Sequence, residues 1–441
     1  MDVFVIEGGR GLSGRTRVNG SKNAALPMMA ASLLTDEATT LRGVPNLGDI
    51  QNMRRLLQLL GRESGGGTDG KPLRFISTDN DESHAPYDVV RTMRASICVL
   101  GPLLASRGKA RISMPGGCAI GDRPVDIHLR GLRALGARIT LERGDISAEA
   151  PGGRLIGARV YLGGPNGSTV LGTANVMSAA TLARGKTIIE CAACEPEIVN
   201  LAELLISMGA RIKGAGTPRV EVEGVEHLGS GDVGVIADRI EAGTLVCAAA
   251  VTGSGVELEN FPLDCLTAFT VACEEMGIAI EPMGEGPLMS RLVRVSPPAR
   301  LSPVSVATQP HPGFPTDLQA QLIATACLAD GNSVVTEKIF SERFLHVPEL
   351  LRMGASIIRT GPTAVVTGVK ELSGAPVMAS DLRASACLVI AGLAAKGTTI
   401  VNRVYHLDRG YERLEQRLTQ LGASIERVDE KALKAEEVFA A

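Results

Sequence analysis

The segment Met114-Pro-Gly-Gly-Cys-Ala-Ile-Gly-Asp-Arg-Pro-Val-Asp-Ile-His128 gathers a thiol, a guanidinium, a carboxylate and an imidazole into one short run. Glycines and prolines around Cys118 disfavour a helix or strand, so one loop could carry Cys118, Arg123, Asp126 and His128. A thiol becomes reactive where nearby positive charge favours the thiolate, and Arg123 is the nearest candidate along the chain. The same composition also suits a glycine-rich surface turn with an incidental cysteine, and the segment alone leaves both readings open. A second candidate is Asp317, in Gln309-Pro-His-Pro-Gly-Phe-Pro-Thr-Asp-Leu-Gln319. Three prolines and a glycine stiffen the approach to this carboxylate, as a general base requires; a plain helix N-cap is the competing reading.

The elements that must position these groups repeat. An amphipathic run ends in Leu or Met followed by Gly at Gly61, Gly136, Gly209, Gly277, Gly354 and Gly422, at intervals of 68 to 77 residues. Each glycine suits the left-handed position after a helix, and a β-branched residue then opens a strand in all but the first copy. Interleaved with these runs are six apolar, Ala-rich helices. They are followed by strands at Thr39-Thr-Leu-Arg, Ala110-Arg-Ile-Ser, Lys186-Thr-Ile-Ile-Glu, Gly255-Val-Glu-Leu-Glu, Ser333-Val-Val-Thr-Glu and Thr398-Thr-Ile-Val-Asn. Six βαβαββ-like units in two groups of three predict a two-domain α/β protein, and helices with no polar face predict burial on all sides.

The starts of the apolar helices carry the charges. Ser21, Thr92, Thr173, Asp238, Thr316 and Ser380 are the expected N-caps, with Lys22, Arg94, Arg239 and Arg383 beside them. A cation there opposes the helix dipole by about 0.3–1 kcal/mol. Each one singly suits a solvated helix end, but their recurrence at equivalent positions points to an anionic ligand held by basic side chains and free N–H groups. The amphipathic helices begin near Asp49, Asp126 with His128, Glu195 and Glu197, Asp264, Glu342 with Arg343, and Asp408 with Arg409. Most of these acids are expected from the dipole.

Composition narrows the class. The chain has 441 residues, 45% apolar, with 51 glycines, no tryptophan and a formal net charge of −3. That balance gives no general electrostatic attraction to nucleic acid or an anionic membrane. The N-terminus lacks the features of a secretory signal and no apolar block is long enough to span a bilayer, so a cytoplasmic protein without membrane insertion is expected. Most of the nine cysteines lie in apolar runs and read as buried and reduced. Cys191-Ala-Ala-Cys194 has redox or metal spacing without a second pair.

Lys22-Asn23, Met93-Arg-Ala-Ser96, Pro115-Gly-Gly-Cys-Ala-Ile-Gly121, Arg123-Pro-Val-Asp-Ile-His128, Pro312-Gly-Phe-Pro-Thr-Asp317, Arg343-Phe-Leu-His-Val-Pro-Glu349, Asp381-Leu-Arg-Ala-Ser385 and Tyr405-His-Leu-Asp-Arg-Gly-Tyr411 are long, ordered motifs. With them the chain resembles, nearly end to end, the UDP-N-acetylglucosamine enolpyruvyl transferases. The resemblance implies the two-domain enolpyruvyl transferase fold, an inside-out α/β barrel with three βαβαββ repeats per domain. Residues 22–238 would form one domain and residues 1–21 with 239–441 the other, with the active site in the cleft between them.

It further implies transfer of the enolpyruvyl group of phosphoenolpyruvate to the 3-hydroxyl of UDP-N-acetylglucosamine, releasing phosphate through a tetrahedral intermediate, as the committed step toward peptidoglycan. Cys118, Asp317, Lys22 and Asp381 would be catalytic. Cys118 would protonate the methylene carbon and can carry a phospholactoyl adduct, and Asp317 would take the sugar hydroxyl proton. Lys22, Arg123 and Arg409 match phosphate-binding positions, Arg343 and Arg383 those around the carboxylate of phosphoenolpyruvate, and Asp381 the acidic neighbour of the reacting centre. Asn23, Arg94, Arg123, Pro124, Val125, Asp126, His128, Thr169, Val170, Asp317 and Ile339 match positions holding or flanking the UDP-sugar. No metal or cofactor is expected, and no partner beyond the two substrates for a monomer. Two departures stand out: Gly167 replaces a lysine of some relatives, and Cys98 a tryptophan. Enolpyruvyl transfer to shikimate 3-phosphate or another nucleotide, and a catalytically silent UDP-sugar-binding regulator, are the rival readings.

Overall fold

Small apolar residues on every side of a helix leave no face for water, and six helices here are of that kind. The computed structural model describes residues 1–67, 70–115, 125–253 and 255–431. In it Lys22–Ala31, Leu100–Arg107, Val170–Ala180, Arg239–Thr252, Gln319–Ala326 and Leu382–Ala394 are buried over most of their circumference. Leu382–Ala394 is buried from Arg383 to Leu393. Such helices persist only when other elements cover them all round.

Four-stranded sheets supply the cover, on one recurring plan. Ser305–Ala307 runs into the buried helix Gln319–Ala326 and then into Asn332–Thr336, which pairs parallel with it. After the amphipathic helix Val347–Arg352 the chain returns as the hairpin Ser356–Thr360 and Thr363–Thr367, whose second strand pairs antiparallel with Asn332–Thr336. The parallel pair needs a crossover and has the buried helix for it, whereas the hairpin closes through a tight turn. Six sheets of this order occur among the described residues. Three take a strand from distant sequence. Gly231–Gly234 lies beside Thr39–Arg42, Gly14–Arg17 beside Val256–Phe261, and Asp2–Glu7 sits between Thr398–Asn402 and Ser424–Asp429.

The described residues form two compact units, 20–115 with 125–236, and 1–19 with 237–431. Within the second, Arg239–Thr252, Gln319–Ala326 and Leu382–Ala394 pack against one another. Within the first, Lys22–Ala31 and Leu100–Arg107 both pack on Val170–Ala180. Each unit has its own apolar core. The six helix-ending glycines take φ from +73° to +104°, the left-handed geometry their positions predict.

Two kinds of helix start differ from the sequence expectation. Ser21 and Asp238 cap as expected, but Thr169, not Thr173, caps Val170–Ala180, and Asp381, not Ser380, caps Leu382–Ala394. The Asp381 carboxylate accepts from the N–H groups of both Arg383 and Ala384, which a single hydroxyl serves less well. Thr92 instead donates to the Val89 carbonyl, ahead of a 3₁₀ turn Arg94–Val99, and Thr316 starts the 3₁₀ turn Thr316–Leu318 without capping it. Among the amphipathic helices, Glu342 and Arg343 precede the helical start at Val347, and Asp408 and Arg409 belong to a 3₁₀ segment Val404–Arg409.

Gly368, just after Thr363–Thr367, shows how closely the sheet meets the turn that follows the buried helix Gln319–Ala326. A Cβ there would lie 1.6 Å from the carbonyl oxygen of Ala329. Because backbone cannot yield as a flexible side chain does, Gly368→Ala is expected to destabilise the protein by about 3 kcal/mol. Denaturant unfolding checks this, and an unchanged midpoint refutes the close approach.

Candidate active site

The proline-stiffened approach delivers Asp317 into a pair of buried guanidiniums. Arg343 Nη1 donates to Oδ1 at 2.7 Å, and Arg383 donates to Oδ2 through Nη2 at 2.9 Å and Nε at 3.2 Å. The Arg383 and Arg343 side chains are only 4% and 8% exposed, against 26% for Asp317, so the carboxylate is the open edge of the cluster. Burial alone would raise the Asp317 pKa, but Arg383 and then Arg343 outweigh it and hold the carboxyl well below the usual range. No backbone N–H of the following helix takes this side chain, which removes the plain N-cap reading.

Arg383 is anchored from behind. Its Nη1 donates to the Tyr411 hydroxyl at 3.1 Å, which also accepts from Gln321 Nε2 at 3.2 Å and pairs with the Thr244 hydroxyl at 2.9 Å. Thr244, Gln321 and Arg383 come one from each buried helix of this unit, so the polar cluster ties the three together. Burial opposes the charge on Arg383, yet Tyr411 and Asp317 overcome it and push its pKa above the ordinary value. Asp381 sits at the same helix start as the cap. Buried His346 nearby is pushed down to about 4, chiefly by desolvation, and so is neutral at pH 7. Arg409 lies in the Val404–Arg409 segment packed on Leu382–Ala394. Ile339, half-buried, has its N–H fixed by Glu337.

In the unit of residues 20–236, Lys22 is buried at the helix start and donates to Asp49 Oδ2 at 2.9 Å. The following Asn23 is half-buried. Arg94 opens the 3₁₀ turn that packs on both Lys22–Ala31 and Val170–Ala180, the latter beginning at Thr169 and Val170. Val125 is buried, and Asp126 opens the helix Asp126–Ala134, which also packs on Val170–Ala180.

The orientation of His128 is set by Asn175. Gly101 N–H donates to Asn175 Oδ1 at 2.8 Å, so the amide nitrogen must be the atom that donates to the Ile97 carbonyl and faces His128 Nδ1, both at 2.9 Å. An amide NH₂ has no lone pair to offer, so Nδ1 accepts and the neutral ring carries its proton on Nε2.

Cys118, Arg123 and Pro124 lie outside the described residues. Sequence reading missed Asp49, Asn175, Tyr411 and Glu337 as partners of site residues. A lone asparagine in an Ala-rich helix, and an acid ending a β-branched run, were the available signals. Gly167 takes φ +98° in the hairpin of Gly163–Gly164 with Gly167–Ser168, where a lysine would be strained. Cys98 is buried with its thiol pushed up to about 12, and burial likewise raises half-buried Cys194, so both rest as thiols.

The sequence profile of the family described as EPSP synthase (3-phosphoshikimate 1-carboxyvinyltransferase) matches residues 6–418. A UDP-N-acetylglucosamine 1-carboxyvinyltransferase of Anaeromyxobacter sp. is 52% identical over 428 residues, 97% of this chain and 99% of that protein. One of Dinoroseobacter shibae is 52% identical over 430 residues, 98% and 100% of the two chains. Among solved structures, the enolpyruvyl transferase NikO from Streptomyces tendae superposes with TM-score 0.86 at 23% identity, covering 97% of this chain and 99% of its own. EPSP synthase from Acinetobacter baumannii gives 0.75 at 18%, covering 97% and 100%. At such identities these two structures establish the shared fold.

The depressed Asp317 pKa makes a pH-dependent prediction. A carboxyl held below its unfolded value of about 3.9 contributes stability that is present above that pH and is lost as pH falls through the folded value. Asp317→Asn, which leaves two buried guanidiniums unpaired, is expected to cost about 3 kcal/mol at pH 7. The gap to the wild-type protein should narrow below about pH 4. Unfolding titrations across pH 2–7 test this, and a pH-independent gap contradicts it.

Proposed function

The chain belongs to the enolpyruvyl transferase family, and on that premise we propose that it transfers the enolpyruvyl group of phosphoenolpyruvate to the 3-hydroxyl of UDP-N-acetylglucosamine, releasing phosphate. The observation that carries this reading is the Asp317 carboxylate spanning buried Arg343 and Arg383, on a chain about half identical to transferases of that name. The family profile bears the name of the shikimate enzyme, but identity over nearly the whole length favours the sugar-nucleotide acceptor. The product is the committed precursor of peptidoglycan.

The chemistry has three requirements: a proton delivered to carbon, a base for the hydroxyl, and cations around a substrate carrying phosphate and carboxylate. Cys118, in its glycine-rich segment, is the proton donor to the methylene carbon, with a covalent phospholactoyl adduct as a side branch. Asp317 is the base. Lys22, Arg123 and Arg409 surround the phosphate; Arg343 and Arg383 meet the carboxylate, with Asp381 beside them. Asn23, Arg94, Asp126, His128, Thr169, Val170 and Ile339 hold the UDP-sugar, His128 offering its Nε2 proton. Addition gives a tetrahedral intermediate, and elimination removes a proton from the new methyl group as phosphate leaves, restoring the carbon–carbon double bond.

The electrostatics tie the base to the arriving substrate. With Arg343 and Arg383 committed to it, Asp317 is a poor proton acceptor. Phosphoenolpyruvate supplies anionic groups that compete for the same guanidiniums, and the carboxylate regains proton affinity as they turn to the substrate. The base is therefore activated by the arriving anion.

A phosphate-release assay tests the reading directly. Turnover is expected with phosphoenolpyruvate and UDP-N-acetylglucosamine and none with shikimate 3-phosphate; the reverse would falsify the assignment. Asp317→Ala should lower kcat by roughly 100-fold or more. A phosphonate epoxide that mimics phosphoenolpyruvate should alkylate Cys118, and peptide mass mapping that places the adduct on Cys191 or Cys194 counts against the loop as the site of chemistry.

A further inference from the structure

Glu337 is 1% exposed, and no step of the proposed reaction uses it. A buried carboxylate is expensive unless its lone pairs are satisfied, and here four hydrogen bonds satisfy them. Oε1 accepts from the Thr308 hydroxyl at 2.7 Å and from the N–H groups of Ile339 and Phe340 at 2.8 and 3.0 Å. Oε2 accepts from the Thr316 hydroxyl at 2.9 Å. Thr308 also accepts from Lys338 N–H at 2.8 Å, so the whole 338–340 backbone turns around this carboxylate and its neighbour.

The two oxygens lead to two parts of the site. A threonine hydroxyl has one proton, and a guanidinium has no acceptor, so the Thr316 proton cannot point at Arg343. It goes to Glu337, and the lone pairs of Thr316 then receive Arg343 Nη1 at 3.0 Å. That same Nη1 donates to Asp317 Oδ1 at 2.7 Å. The chain Glu337, Thr316, Arg343, Asp317 thus sets the direction of one guanidinium N–H bond, while the other oxygen sets the backbone at Ile339.

We propose that Glu337 is a positioning residue for the transfer reaction: through Thr316 it holds the Arg343 guanidinium in place beside Asp317, ready for the arriving anion to draw it off the carboxylate, and through Ile339 and Phe340 it shapes the backbone that meets the sugar-nucleotide acceptor. The assignment rests on the reading of Asp317 as the base. It adds a residue that touches no substrate and acts on both the chemical step and acceptor binding by separate oxygens.

The two arms separate in a variant set assayed with phosphoenolpyruvate and UDP-N-acetylglucosamine. Thr316→Val deletes only the relay, and Glu337→Gln keeps an oxygen for the Ile339 and Phe340 N–H groups while turning an NH₂ toward Thr316. Both are expected to lower kcat roughly tenfold with little change in acceptor KM. The double variant should be no slower than either single one, because both break the same chain. Glu337→Ala should in addition raise the acceptor KM. Rates are referred to active sites titrated in each preparation, so that misfolding alone does not register. Wild-type rates in Thr316→Val and Glu337→Gln, or losses that multiply in the double variant, overturn the proposal. If the wild-type protein itself fails to use UDP-N-acetylglucosamine, the functional reading falls and this assignment with it.

Discussion

A helix with no polar face can carry charge only at its ends, and that constraint organises this protein. Lys22 and Arg383 sit at the starts of helices whose remaining circumference is packed in apolar core. Each cation opposes the helix dipole, and each is compensated by a carboxylate from another element: Asp49 for Lys22, Asp317 for Arg383. The geometry that makes the core stable therefore also concentrates opposite charges at the helix starts. An arrangement balanced by internal carboxylates yields to an anionic substrate more readily than one balanced by tight apolar packing, because one anion replaces another.

Repetition supplies the frame and individual substitutions supply the chemistry. The sheets share one strand order, yet the polar cluster at the core of the 237–431 unit needs a different residue from each copy: Thr244, Gln321 and Arg383, joined at Tyr411. The cluster is nearly dry, which strengthens each hydrogen bond in it and makes any unpaired member costly. Glu337 extends the same logic outward, a buried acid held by hydroxyls and backbone N–H groups that link the Asp317 turn to the next loop.

Environment separates side chains that the sequence alone presents alike. Asp317 and Asp381 both stand at helix starts, but Asp381 spends one oxygen on two backbone N–H groups while Asp317 faces two guanidiniums. His128 and His346 are both buried. One has its tautomer set by an asparagine amide, and the other is kept neutral by desolvation. Only the partners decide which of these groups can exchange a proton near neutral pH.

Local pattern was enough to read much of this architecture. The Leu or Met followed by Gly motif marks helix ends because glycine alone adopts the left-handed turn without strain, and all six such glycines do so. The uniformly apolar helices announce their own burial. The order of motifs led to the enolpyruvyl transferase family, and the Cys118 loop that first suggested chemistry lies outside the described residues. What sequence could not reveal depends on residues far apart along the chain. Asp2–Glu7 becomes one of the two inner strands of the last sheet, Asn175 orients His128, and Glu337 reaches Asp317 through Thr316 and Arg343. Periodicity and turn chemistry are properties of neighbours in sequence; strand pairing, hydrogen-bond direction and proton affinity belong to neighbours in space, and only the folded chain brings those together.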